Sequence, residues 1–127
     1  MRYLGVDWGE KKIGLAISEG ELASPLKVVQ VAGLDDAVAK VVRVVKGEQI
    51  DWVVVGLPEG SSGTQATKFI KKLEAQTEVM VAVAEETLSS QDALRDMIEM
   101  GVGKGRRGQE DAYAAAIILQ DFLDSQN

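Results

Sequence analysis

Short apolar runs divide the first part of the chain into three predicted strands. The runs cover residues 2–7, 12–18 and 26–31, and glycine or polar residues bound each of them. Because only a few residues separate consecutive runs, we expect the three strands to pair as an antiparallel meander.

The spacing of the apolar residues changes to a helical period after residue 33, and strand and helix patterns then alternate. Continuous apolar runs at 51–56 and 79–84 predict a fourth and a fifth strand. The fourth should be covered on both faces and lie parallel to the first. Helices are predicted at residues 34–47, around 66–73, at 89–101 and from about 110 to 123.

This order of elements predicts a single α/β domain of the ribonuclease H-like class over residues 1–127. Right-handed crossovers would give a five-stranded mixed sheet in the spatial order 3-2-1-4-5, with helices on both faces. The first strand is central in such a sheet. Asp7, at the end of that strand, would therefore lie where strand ends converge.

A carboxylate at the end of an apolar strand is costly to desolvate unless a cation meets it, so Asp7 needs a counter-ion. The chain contains no His and no Cys. Their absence excludes the usual zinc sites, the Ser-His-Asp and Cys-His nucleophiles, and imidazole acid–base chemistry. Carboxylate oxygens favour a hard cation such as Mg²⁺ or Mn²⁺.

Acidic residues stand at the ends of apolar elements in four places, which are Asp7, Glu59, the pair Glu85 and Glu86, and Asp111. Two divalent ions about 3.5–4 Å apart, held by carboxylates, can drive phosphodiester hydrolysis without imidazole. The simpler interpretations remain open. Asp111 can favour a helix N-terminus, Glu59 can belong to a turn, and the Glu85–Glu86 pair can be solvated.

The net charge of −6 argues against a simple nucleic-acid-binding protein, for which a basic face is usual. Local clusters of basic residues remain. They are Lys11 with Lys12 in the first hairpin, and Lys104, Arg106 and Arg107 in a glycine-rich stretch before the last helix. We expect these five side chains to contact a substrate backbone, and the alternative is a solvated surface charge.

Several blocks resemble the YqgF/RuvX family, in order and over nearly the whole chain. The blocks are Val6-Asp7-Trp8-Gly9 with Lys12-Ile13-Gly14-Leu15-Ala16, Pro25-Leu26, Val54-Val55-Gly56-Leu57-Pro58, Glu85-Glu86-Thr87-Leu88-Ser89-Ser90, and Asp111-Ala112-Tyr113-Ala114-Ala115 with Ile118-Leu119. The resemblance implies a nuclease that processes the 5′ end of precursor 16S ribosomal RNA or resolves Holliday junctions. It also implies that Asp7, Glu86 and Asp111 are catalytic metal ligands around one or two Mg²⁺ or Mn²⁺ ions, with Glu85 as an alternate to Glu86. Glu59 is a further alternate because it follows strand four, the neighbour of strand one.

The chain departs from the family pattern at three positions. Thr87 replaces an Arg, Glu10 replaces a Thr and Ser62 replaces an Asp. The lost Arg removes a rigid donor fork suited to carboxylate or phosphate. These changes keep a second interpretation open, in which a nucleic-acid-binding module has lost its catalytic site.

The expected assembly depends on the substrate, and the expected compartment depends on the apolar pattern. A junction resolvase would act as a homodimer on branched DNA, whereas a processor of structured RNA could act as a monomer.

A phosphate-binding lobe of the sugar-kinase type is disfavoured because this chain has no room for the second lobe. With no long apolar segment and no signal-like N-terminus, we expect a cytoplasmic protein without a membrane partner.

Overall fold

The computed structural model describes residues 1–57, 63–85 and 110–126, and within these ranges five strands and three helices form. The strands pair in the order β3-β2-β1-β4-β5, which confirms the predicted ribonuclease H-like sheet. The predicted helix at 89–101 lies outside the described residues. The elements are β1 (Tyr3–Asp7), β2 (Lys12–Ser18), β3 (Ala23–Gln30), α1 (Leu34–Gly47), β4 (Trp52–Leu57), α2 (Gly63–Gln76), β5 (Met80–Glu85) and α3 (Glu110–Ser125).

Strand β1 is the centre of the sheet and sets the register of its neighbours. It pairs antiparallel with β2 and parallel with β4, and β5 continues the parallel half. The register places Asp7 directly between Gly14 of β2 and Gly56 of β4. Directly paired residues point to the same face of a sheet, so all three belong to one row on one face.

The two faces of the sheet carry separate apolar clusters, as the alternation along β1 requires. Leu4 and Val6 are fully buried on the face that is covered by α1 and α2. The opposite face is covered by α3, which packs against Ala16 and Val54. The helix that carries Asp111 therefore lies on the same face as the Asp7 row.

Helix α3 approaches the sheet closely because glycine occupies its contact points. A Cβ atom on Gly5 would lie 2.8 Å from the carbonyl oxygen of Ala115, and one on Gly56 would lie 2.5 Å from Ile118 Cδ1. Both distances are too short for real side chains. Glycine in these strand interiors therefore marks a close approach of another backbone or side chain.

Strand β3 begins at Ala23, three residues earlier than predicted, and it includes Pro25. Proline is tolerated because β3 is an edge strand and the register shifts in the neighbouring β2 between Leu15 and Ala16. Helix α3 holds the early part of the strand, since the N–H of Ala23 donates to Gln120 Oε1 at 2.9 Å. This long-range contact is invisible in the local pattern.

The start of α1 is stabilised by Asp36 in place of a side chain on the capping residue Gly33. Gly33 has φ 140° and ψ −178°, a conformation that is essentially restricted to glycine. The carboxylate of Asp36 accepts a hydrogen bond from the N–H of Ala32 at 2.8 Å and lies 3.0 Å from Lys40 Nζ. These contacts, the Ala32 hydrogen bond first, lower the pKa of Asp36 below its ordinary value of 3.8.

Trp8 is a core residue. It is 6% exposed, and its ring centroid lies 4.8 Å from that of Phe69 in α2. Trp52 is half-buried between Tyr3 and Phe122, with ring centroids 6.4 Å from each. Among the helices of the described ranges, none is long and apolar enough to cross a membrane.

Candidate active site

Asp7 and Asp111 lie at one pocket although they are far apart in the chain. Asp7 is the last residue of β1, and Asp111 lies in the first turn of α3. Asp7 is half-buried rather than buried, because the end of its strand opens onto this pocket. The turn between β1 and β2 completes the lining, which consists of Asp7, Trp8, Gly9, Glu10, Lys11, Lys12 and Asp111.

Gly14 is the residue that brings the two acids together. It is the direct cross-strand partner of Asp7. A Cβ atom at Gly14 would overlap the backbone carbonyl of Asp111 and would lie 2.8 Å from the backbone nitrogen of Ala112. Without a side chain there, the first turn of α3 rests directly on β2, beside the end of β1.

Lys12 provides the cation that meets Asp111. Its Nζ lies 3.2 Å from Asp111 Oδ2, and the two side chains are 53% and 31% exposed. Asp111 Oδ2 is itself buried, and it accepts no aligned hydrogen bond from the residues that the structure describes. The contact is therefore an ion pair by distance, and such a partly exposed pair contributes only about 0–1 kcal/mol to stability.

The donor set fits a hard divalent cation. Three carboxylates line the pocket, those of Asp7, Glu10 and Asp111. The buried Oδ2 of Asp111 lies 3.2 Å from the Lys12 ammonium and accepts no aligned hydrogen bond from the described residues. Carboxylate oxygens are the ligands that Mg²⁺ and Mn²⁺ prefer. Across residues 1–57, 63–85 and 110–126, no three acids converge closely enough to form a complete site.

The expected third ligand is not among the described residues. Glu86 and the alternate Glu59 both lie outside the described ranges. Glu85 ends β5 opposite Leu57, two strands away from Asp7. The choice between these three acids therefore stays a prediction.

Comparison with known proteins identifies the family of this chain. A family model described as "RuvX: Holliday junction resolvase" matches residues 1–125. The chain belongs to the RuvX family. A curated relative from Roseiflexus sp. (strain RS-1) is named "Putative pre-16S rRNA nuclease". It is 36% identical over an alignment of 134 residues, which covers 98% of this chain and 95% of the relative. The resemblance seen in the sequence motifs is thereby confirmed.

Two solved resolvases share the fold of this RuvX family member. RuvC of T. thermophilus, in complex with a Holliday junction substrate, has a TM-score of 0.69 and 18% identity, with 99% of this chain and 96% of RuvC covered. The fowlpox virus Holliday junction resolvase has a TM-score of 0.67 and 15% identity, with both chains fully covered. At these identities the two structures show the fold alone.

The comparisons also confirm the predicted class of enzyme, a hydrolase that cleaves phosphodiester bonds. They support a nucleic-acid partner and a general dependence on divalent metal, without identifying the ion or the number of ions. The family match favours a nuclease over a phosphate-binding lobe of the sugar-kinase type.

The remaining predicted contact residues of this RuvX member divide into two groups. Lys11 and Lys12 line the pocket with the two acids. Lys104, Arg106 and Arg107 lie outside the described residues.

Sequence reasoning missed Gly14 and Gly56, the two neighbours of Asp7 in the sheet. The available signal was glycine inside two otherwise apolar strands, which indicates close approach of another chain segment.

Proposed function

We propose that this protein is a divalent-metal-dependent nuclease, with residues 1–127 as one catalytic domain, that processes the 5′ end of precursor 16S ribosomal RNA in the cytoplasm. The observation that carries the proposal is the position of Asp7 and Asp111 on one pocket. Two carboxylates at the edge of a ribonuclease H-like sheet, in a chain without His, suit metal-assisted phosphodiester cleavage.

The metal ligands in this proposal are Asp7, Asp111 and Glu86, with Glu85 and Glu59 as alternates for the third position. Mg²⁺ or Mn²⁺ would occupy the site, as two ions. The chemistry that such cations supply is activation of an attacking water and stabilisation of negative charge at the scissile phosphate. The two glycines beside Asp7 let α3 approach this face of the sheet closely, which brings Asp111 to the same pocket.

The basic residues position the substrate. Lys11 and Lys12 border the pocket on the hairpin side, and both can contact the phosphate backbone of a nucleic acid. Lys104, Arg106 and Arg107 precede Asp111 in the sequence and would extend this contact. Local positive charge of this kind is needed because the net charge of −6 repels phosphate at longer range.

The substrate is proposed from the curated relative, whose name specifies pre-16S rRNA. A second candidate is a four-way DNA junction, which is favoured by the family description and by the fold shared with two resolvases. The two candidates differ in assembly. Symmetric cleavage of a junction needs two sites and hence a homodimer, whereas one RNA end needs only one site.

The deciding experiment compares cleavage of a precursor-rRNA 5′ end with cleavage of a four-way DNA junction, in Mg²⁺ and in Mn²⁺. Asp7→Asn and Asp111→Asn should abolish cleavage, because each removes a charged metal ligand. Asp124→Asn is the matched control, since it makes the same change at the far end of α3 on an exposed residue. It should cleave like the wild type.

Each different outcome overturns a defined part of the proposal. Cleavage of the junction alone would replace the RNA substrate by branched DNA. Binding without cleavage of either substrate would replace the enzyme by a nucleic-acid-binding module. Equal cleavage by Asp7→Asn and the wild type would remove Asp7 from the catalytic site.

A further inference from the structure

The ammonium group of Lys12 contacts the carboxylate oxygen of Asp111 that a metal ion would also bind. Lys12 Nζ lies 3.2 Å from Asp111 Oδ2, an oxygen that has no aligned hydrogen bond from any described residue. An ammonium and a divalent cation repel each other strongly at such separations. Simultaneous binding of both cations to the same carboxylate oxygen is therefore unfavourable.

The backbone of Lys12 is held by neighbouring strands, whereas its side chain is half-exposed. Lys12 pairs with Gln30 in the β2–β3 ladder, and the carbonyl of Lys11 accepts a hydrogen bond from the N–H of Val31 at 2.9 Å. A Cβ atom on Gly9 would clash with the carbonyl oxygen of Lys12, so glycine at this position allows the tight turn. The side chain itself is 53% exposed, on a flexible four-carbon stem.

We propose that Lys12 is a displaceable counter-ion, which neutralises Asp111 in the metal-free protein and moves to a substrate phosphate when metal enters. The inference rests on the proposed function, because it takes Asp111 as a metal ligand. It makes Lys12 a positioning residue that links the two binding events. Nucleic acid that attracts the Lys12 ammonium raises the affinity for metal, and by reciprocity metal raises the affinity for nucleic acid.

The first test measures Mn²⁺ affinity by the loss of the free-ion electron paramagnetic resonance signal. Lys12→Met keeps the length of the side chain and removes its charge, so it should bind Mn²⁺ about tenfold more tightly than the wild type. Lys11→Met removes the same charge from the same pocket without breaking the pair with Asp111. It should change Mn²⁺ affinity by about twofold or less, because a solvated charge is largely screened.

Lys12→Arg is the control for an effect of substitution at this position on folding, because it keeps a positive charge within reach of Asp111. Its Mn²⁺ affinity should stay close to that of the wild type. Equal tightening in Lys12→Met and Lys11→Met would overturn the inference in favour of a general charge effect. Unchanged or weaker Mn²⁺ binding by Lys12→Met would overturn it as well.

Mn²⁺ binding by Asp111→Asn distinguishes an incorrect role for Lys12 from an incorrect metal site. If Asp111→Asn abolishes Mn²⁺ binding while Lys12→Met leaves it unchanged, Asp111 is a ligand and Lys12 does not compete. If Asp111→Asn binds Mn²⁺ as the wild type does, the metal site itself is wrong, and the role of Lys12 is refuted with it.

Discussion

Gly14 should tolerate substitution poorly, although it has no functional group and does not line the pocket. In Gly14→Ala the new Cβ would overlap the carbonyl of Asp111 and lie 2.8 Å from the nitrogen of Ala112, whereas ordinary contacts begin at 3.4 Å. Both obstacles are backbone atoms, so no side-chain rotation can relieve them. The first turn of α3 must move away from β2 by more than half an ångström.

The size of the effect follows from this displacement. Overpacking of a tight contact costs about 1–3 kcal/mol. For a chain of this length we expect the Tm to fall by roughly 4–11 °C. A shift of about 1 Å in a catalytic group can lower the rate by about 100-fold, so cleavage should fall far more than the folded fraction.

The assay combines thermal unfolding with cleavage and Mn²⁺ affinity, measured at a temperature where both variants are folded. Gly47→Ala is the control, because a Cβ at the end of α1 would meet nothing within 4 Å. That variant should be unchanged, or stabilised by up to about 1 kcal/mol through its helix propensity. A Gly14→Ala protein with the wild-type Tm and Mn²⁺ affinity would refute the argument that Gly14 positions Asp111.

Three further predictions concern the fold. The lowered pKa of Asp36 means that its contribution to stability is complete above the ordinary value of 3.8 and is lost as the pH falls through the lower value in the folded protein. Asp36→Asn should therefore reduce the urea midpoint at pH 7 more than at pH 2, and an equal reduction at both would contradict this. Gly33→Ala should cost about 1–3 kcal/mol because of its φ of 140°, measured by urea unfolding, and a neutral result would show that the start of α1 relaxes. Phe69→Ala removes a fully buried ring and should cost about 3–5 kcal/mol in the same assay, whereas a loss below 1 kcal/mol would mean that the cavity collapses.

The sheet order could be predicted from the sequence because each step rests on local information. Short connections between the first three apolar runs dictate antiparallel pairing, and the intervening helix of residues 34–47 dictates a parallel crossover to β4. The early start of β3 could not be predicted in this way. Pro25 and its polar neighbours look like a break, and the hydrogen bond from Ala23 to Gln120 depends on a helix distant in the sequence.

The amino-acid sequence by itself determined which acids are available and what chemistry they can support. A chain without His or Cys cannot use imidazole or thiol chemistry, and Asp7 at the end of its central strand favours carboxylates that hold a hard metal. Only the tertiary structure decided which groups meet. Asp111 reaches the Asp7 pocket because Gly14 lets the backbone of α3 rest on β2. Lys12 contacts Asp111 because the start of β2 lies beside the first turn of that helix. Distances between elements arise from packing, and no local pattern contains them.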